Sequence, residues 1–414
     1  MARGLVVCLP LHGHMAPLLP LVRELVARGD ELVVYATAPF ADAIGQTGAH
    51  FRPYRASRMT DLSELPDRTE AIAELLMGIV GDVLATDLPD LRDVRPDYMV
   101  TDSVAPWGHW VAQALRVPLV TSISTFAINR HVLAFAASCG VRPKSLRLVL
   151  SKLAHVSNAF MLRRRLARRY RVPGLGVFDT VCGHSALNIV HTSREFQPHG
   201  HTFDDAFHFV GPPDVDPSAA LRATAPAPSW PPGTSPLVYV SFGTLFNANA
   251  EFYRHCVAAF RDEPVRVIMS IGSRVSALAL GDLPTNVTVA PVVPQLKVLQ
   301  RASAFVTHGG MNSVSESLCL AVPMVTVPQM GEQQIVSRRV EQLGAGVYLA
   351  NADASPERLR LAVRRLLAEA RFRDQAARIG ATLRAAGGTV KAAALIREFA
   401  GQVGKARLGR AGMN

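Results

Sequence analysis

Eight prolines fall within 211–236: Pro212, Pro213, Pro217, Pro226, Pro228, Pro231, Pro232 and Pro236. Proline fixes φ and removes a backbone donor, so neither a helix nor a central strand can run through this stretch. It reads as a linker over 212–236. The patterns on its two sides are alike. Before it, the apolar runs Leu5–Leu9, Leu32–Tyr35, Tyr98–Val100 and Leu119–Thr121 alternate with helical patterns. The first of those helices is expected from Pro17 to Arg28, closed by Gly29. After the linker, Val238–Ser241, Val265–Ile271, Val287–Val293, Ala304–Thr307 and Met324–Val327 are strand-like. Helices such as Glu251–Arg261 and Ser313–Leu320 separate them, and 355–403 is largely helical in pattern. Continuous apolar strands alternating with helices indicate parallel sheets covered on both faces. The expected fold is α/β: two doubly wound, Rossmann-like domains, 1–211 and 237–414, facing across a cleft. Ligands of such sheets sit at the carboxyl ends of the strands, and a cleft between domains can hold two substrates.

The most informative segment lies in the second half. Val293-Pro294-Gln295 is followed by Thr307-His308-Gly309-Gly310-Met311-Asn312-Ser313 and then by Glu316. A strand runs into paired glycines, and a helix is expected to begin at about Asn312, where Asn or Ser is a good N-cap. Glycines allow close backbone approach to an anion, and the free amides at a helix start stabilise phosphate oxygens. Glu316, four residues after Asn312, shares its helix face and can accept the hydroxyls of a ribose. An ordinary strand-to-helix turn is the plain alternative, but His, Gly-Gly, Asn-Ser and Glu in register favour a phosphate site. The segment is neither a G-x-G-x-x-G dinucleotide fingerprint nor a Gly-Lys-Ser/Thr triphosphate loop.

In the first half, His12 and His14 stand after the first strand, where an imidazole is suited to act as a base near neutral pH. Each has a plain alternative as a turn or packing residue. Asp102 follows the apolar run Tyr98-Met99-Val100-Thr101. It could orient an imidazole, or simply cap a helix beginning near Val104.

With these motifs the chain resembles the GT-B-fold, inverting glycosyltransferases of the UDP-glycosyltransferase superfamily, and within it the bacterial macrolide and polyphenol glucosyltransferases. Val240-Ser241-Phe242-Gly243-Thr244, Val293-Pro294-Gln295, the His308–Glu316 motif, Pro328 through Gln333, the His12-Gly13-His14 loop and the Ala386-Gly387-Gly388 break before the last helix carry the resemblance. It implies that the first domain takes the acceptor, the second takes the nucleotide sugar, and the last helix packs back on the first. It implies that Val293 and Gln295 hold base and ribose, and that Ser241 and Thr244 line the phosphate path. His308, Gly310, Asn312 and Ser313 would hold the diphosphate, Glu316 the ribose, and Glu332 with Gln333 the sugar hydroxyls. The implied base is His12, with Asp102 as its partner and His14 as a structural residue of the loop. No metal or cofactor is implied beyond the nucleotide sugar, with UDP-glucose favoured over a dTDP-deoxysugar. Two departures stand out: Val292 replaces the Trp that stacks on uracil in many relatives, and Glu332 replaces the more frequent Asp.

The acceptor pocket is expected from residues 55–80 and 126–156, rich in Leu, Met, Ile and Phe, which suits a small apolar acceptor. The only Asp-x-Asp, Asp214-Val215-Asp216, lies in the linker and reads as a solvated turn. A formal net charge of +11 favours anionic partners. Much of it lies in Arg163–Arg171, read first as a solvated helix face and second as a weak membrane-surface contact, because Leu146, Leu150, Leu153 and Phe160 precede it. Nucleic acid is not expected, since no zinc-finger or RNA-binding motif accompanies the charge. Five scattered cysteines without C-x-x-C fit reduced thiols in a cytoplasmic protein.

Overall fold

The computed structural model describes residues 1–59, 69–140, 160–172, 183–213, 230–243 and 249–411, without the side chains of 69–74 and 403–411. The expected helix-strand alternation resolves into two parallel sheets.

The first half contributes β1 (Arg3–Val7), α1 (His12–Ala27), β2 (Glu31–Ala36), α2 (Ala41–Gly45), β3 (His50–Pro53), α3 (Thr69–Thr86) and α4 (Leu88–Asp93). It continues with β4 (Tyr98–Asp102), α5 (Pro106–Leu115), β5 (Leu119–Ile123), α6 (Arg130–Ser138), a helix α7 over 160–170, β6 (Leu187–Val190) and β7 (Phe207–Phe209). Its seven strands lie in the order β3-β2-β1-β4-β5-β6-β7. The second half contributes β8 (Leu237–Ser241), α8 (Ala250–Phe260), β9 (Arg266–Ser270), β10 (Val287–Ala290), α9 (Gln295–Leu299), β11 (Ala304–Thr307) and α10 (Met311–Cys319). Then come β12 (Met324–Thr326), α11 (Gly331–Gln342), β13 (Gly346–Tyr348), α12 (Pro356–Ala368), α13 (Ala370–Ala385) and α14 (Gly388–Ala411). Its six strands run β10-β9-β8-β11-β12-β13.

Both sheets are buried on two faces, which is why their strands read as unbroken apolar runs. Val238, Val240, Val267 and Val306 enter one core layer of the second sheet, and Tyr239, Ile268 and Phe305 enter the opposite layer. Strand order reverses between β1 and β4 in the first sheet and between β8 and β11 in the second. Those switch points open crevices at the carboxyl ends of the strands, where open α/β sheets bind ligands.

Two helix starts differ from the sequence expectation. Helix α1 begins at His12, not Pro17. Pro17 and Pro20 lie inside it, and each removes one backbone donor without ending the helix. Helix α10 begins at Met311, capped by Gly310, so Asn312 is inside the first turn and does not cap it.

The last helix, α14, crosses to the first half. Ala392, Ala393 and Ile396 join the core formed by Leu18, Leu21 and Leu25 of α1. Its Arg397 approaches the buried Asp30 at 3.5 Å. Nearby, Gly388 N donates to Val210 O at 2.6 Å. Further bonds cross elsewhere: Ser193 Oγ to Thr382 Oγ1 at 2.8 Å, Gln334 Nε2 to Cys139 O at 3.0 Å, and Arg339 Nε to Phe196 O at 3.0 Å. Thr244, Cys182, Asp214–Asp216, Leu146, Leu150 and Leu153 lie outside the described residues. No helix among the described residues is long and apolar enough to cross a membrane.

Candidate functional site

The first crevice is built by the ends of β1, β4 and β5. Asp102 closes β4 and is almost completely buried. Its Oδ1 accepts from Val104 N at 2.8 Å, which pins the turn into α5, whose own N-cap is Ala105. Its Oδ2 lies 2.9 Å from His14 Nδ1. The pairing expected from sequence is thereby corrected: Asp102 touches His14, whereas the His12 ring packs against Phe40, with centroids 5.1 Å apart. The reason is helical phase. With α1 starting at His12, the two histidines sit in one helical turn, and positions two apart point about 200° apart. Only one of them can face β4.

Ser124, just past β5, adds a contact that the sequence reading missed: its Oγ lies 3.0 Å from His14 Nδ1. The signal available was its place at a carboxyl strand end, the same rule that singled out Asp102. Burial disfavours the charged imidazolium, but the charge and hydrogen bond of Asp102, with a smaller contribution from Glu332, outweigh it. The His14 pKa therefore stands above its ordinary 6.5. Next to this group Ser122 Oγ meets the buried His191 Nε2 at 2.9 Å. Burial lowers the pKa of His191 to about 4.

The second crevice is built by β8, β11 and α10. Ser241 and Thr307 are register partners at the ends of adjacent strands. His308 follows them, its ring hydrogen-bonded to the Ser241 backbone, and burial lowers its pKa to about 4. Glycine is required on both sides of this ring. A Cβ on Gly243 would lie 2.8 Å from the imidazole, and one on Gly310 would overlap it. No side chain caps α10, so the amides of its first turn are open to a ligand.

Gln295 is the hub of the adjoining wall. Its Nε2 donates to Glu316 Oε2 at 2.7 Å and to Ser313 Oγ at 3.2 Å, while its Oε1 accepts from Tyr239 Oη at 3.3 Å. Tyr239 was not singled out from sequence, because it reads as a strand-core residue and is one. Burial raises the Glu316 pKa to about 7. Val293 is buried in the core beside this wall, and its neighbour Val292 is 69% exposed. Glu332, in the first turn of α11, opens onto the cleft, where surrounding protein raises its carboxyl pKa. Gln333 is buried instead, and its Oε1 accepts from Gln329 N at 2.9 Å.

The two crevices face one another. Asn312 Nδ2, on α10, donates to Gly13 O, on α1, at 3.0 Å. The His14–Asp102 pair and the phosphate-type helix start are thus brought to one cleft.

In the two segments expected to form an acceptor pocket, Met59, Met77, Ile79 and Val80 are core residues with little or no exposure. Leu133 on α6 is exposed. Residues 60–68 and 141–156 lie outside the described residues.

Comparison with known proteins agrees with this layout. The family model for UDP-glucoronosyl and UDP-glucosyl transferase matches residues 176–384. The chain is 33% identical over 399 residues to NDP-glycosyltransferase YjiC of Bacillus subtilis, covering 94% of this chain and 95% of that protein. It is 30% identical to oleandomycin glycosyltransferase of Streptomyces antibioticus, covering 93% and 88% of the two chains. Among solved structures, the calicheamicin glycosyltransferase CalG4 superposes with a TM-score of 0.79 at 30% identity, covering 97% of this chain and 99% of that one. The protein therefore belongs to the UDP-glucoronosyl and UDP-glucosyl transferase family and is a glycosyltransferase of the two-domain GT-B fold.

Proposed function

We propose that this chain is an inverting O-glycosyltransferase that moves a hexose from a nucleoside diphosphate to a hydroxyl of a small apolar natural product. UDP-glucose is the favoured donor. The observation that carries this reading is the 2.9 Å contact between His14 Nδ1 and Asp102 Oδ2, placed opposite the open start of α10.

The chemistry follows from that contact. Asp102 keeps the proton on His14 Nδ1, which leaves Nε2 with its lone pair toward the cleft. His14 Nε2 takes the acceptor hydroxyl proton as the oxygen attacks the anomeric carbon. The bond from that carbon to the diphosphate oxygen breaks on the opposite face, so configuration inverts. The imidazolium formed is stabilised by the Asp102 carboxylate. Negative charge gathering on the departing diphosphate meets the first-turn amides of α10, with His308, Asn312 and Ser313 beside them. Gln295 and Glu316 accept and orient the ribose hydroxyls, and Glu332 reaches the transferred sugar. With the leaving group held this way, turnover needs no metal ion, and it is expected to persist in EDTA.

A dTDP-deoxysugar donor is the second reading. Val292 offers no ring to stack on the base, a contact otherwise worth about 1–3 kcal/mol. The chain is also 29% identical to demethyllactenocin mycarosyltransferase of Streptomyces fradiae. Mass spectrometry of products from phenol and macrolide acceptors, each given UDP-glucose, UDP-galactose or dTDP-sugars, tests both. Hexosyl adducts from UDP-glucose support the first reading; adducts only from dTDP-sugars support the second. No adduct from any pair would reject both.

A further inference from the structure

From Ser103 to Phe178 the sequence contains twelve Lys and Arg residues and no Asp or Glu. The whole formal excess of +11 is therefore accounted for by this one segment. Within it, α7 presents the densest cluster. Leu162, Leu166, Ala167 and Tyr170 turn inward against the core that includes Met77, Ile79 and Val80. The outward face carries Arg164, Arg165, Arg168 and Arg169. Phe160 and Met161, at the start of the same helix, are 43% and 50% exposed. The Arg163 and Arg164 guanidiniums lie over the Phe160 ring at 5.6 and 5.7 Å from its centroid. Among the described residues, none of the four outward arginines has a carboxylate partner.

We propose that this face of α7 docks the protein on an anionic lipid surface. A row of basic side chains on one exposed helix face is drawn to the negative surface potential of anionic lipids. Phe160 and Met161, both lipid-compatible, then enter the headgroup boundary at one end of the row. A solvated helix would ordinarily mix acidic with basic side chains, and this one does not. Docking on the acceptor-side domain would bring the protein to apolar acceptors that partition into membranes. The proposal does not rest on the transferase reading, since binding is measured without turnover.

The test is flotation of the full-length protein with vesicles of phosphatidylcholine alone or mixed with phosphatidylglycerol, at low and high salt. Each basic side chain near such a surface strengthens partitioning by about five-fold. The variant R164Q/R165Q/R168Q/R169Q is therefore expected to lose at least ~100-fold in partitioning to the anionic vesicles. The same positions changed to Lys should retain most of it. Activity on a water-soluble phenol should be unchanged in both variants. High salt should release the wild-type protein, because it screens the surface potential. Four outcomes overturn the proposal: no flotation of wild type with anionic vesicles at low salt, equal flotation with neutral ones, flotation indifferent to salt, or unchanged flotation of the Gln variant. Retention on a polyanion such as DNA through these arginines, without vesicle binding, would assign the patch to another partner and equally overturn it.

Discussion

Asn312 Nδ2 on α10 donates to the carbonyl oxygen of Gly13 on α1 at 3.0 Å. The acceptor is available because Pro17, four residues on, has no N–H with which to fill it. A proline inside a helix thus becomes the means by which one lobe's helix start is held against the other. Asn312→Ala removes the bond and leaves the carbonyl to water. One hydrogen bond nets about 1 kcal/mol. Loss of ~5-fold in UDP affinity by calorimetry, with a wider cleft in small-angle scattering, is the expected result.

The pH profile follows from the sign of the His14 shift. A general base must be neutral, so activity rises as pH climbs through its pKa. That pKa stands above 6.5, because Asp102 outweighs burial. The acid limb of kcat should therefore lie above pH 6.5. Asp102→Asn removes the charge that holds the imidazolium, so the limb should move to lower pH while the plateau falls by about 10²-fold. A limb that does not move would dissociate Asp102 from the titrating group. Folding stability has the matching sense: the His14 contribution is full below its unfolded pKa and is lost as pH rises through the raised folded value.

The ring of His308 fixes two glycines. Gly310→Ala would drive a methyl group into the imidazole, and Gly243→Ala would approach it almost as closely. Overpacking of this kind costs about 1–3 kcal/mol. Gly243 also has a φ of 70°, which a side chain strains further. Both variants should melt several degrees lower and bind UDP at least ~10-fold more weakly, measured by thermal shift with and without nucleotide.

Glu316 carries a pKa near 7 because burial penalises its charge. If ribose hydroxyls donate to it, bound UDP favours the ionised form and the group sheds a proton on binding. Proton release measured by calorimetry in buffers of different ionisation enthalpy should be strongest below pH 7 and disappear in Glu316→Gln, whose UDP affinity falls about 10–100-fold.

Much of this organisation was legible in the sequence. The alternation of apolar runs and helical patterns announced two parallel sheets, and Ala304–Thr307 with the paired glycines after it announced a strand-to-helix turn at a sheet crevice. Gln295, Ser313 and Glu316, eighteen and three residues apart, do form one hydrogen-bonded group. The choice between His12 and His14 was not legible. It turns on where α1 begins, and the helical pattern that starts at Pro17 does not reveal that the helix already starts at His12. The tertiary bond from Asn312 covers the carbonyl that Pro17 abandons, and no local pattern encodes a partner 299 residues away. Tyr239 gives no signal of its own, because a hydroxyl in an apolar strand run has no periodic mark, and Ser124, though at a carboxyl strand end, has a partner set by the phase of α1.

The most direct measurement compares turnover and UDP binding in His14→Ala and His12→Ala. If His14 is the base, its loss should lower kcat by at least ~10³-fold with UDP affinity nearly intact, and His12→Ala should keep kcat within ~10-fold of wild type. Full turnover in His14→Ala, or collapse confined to His12→Ala, would contradict the assignment.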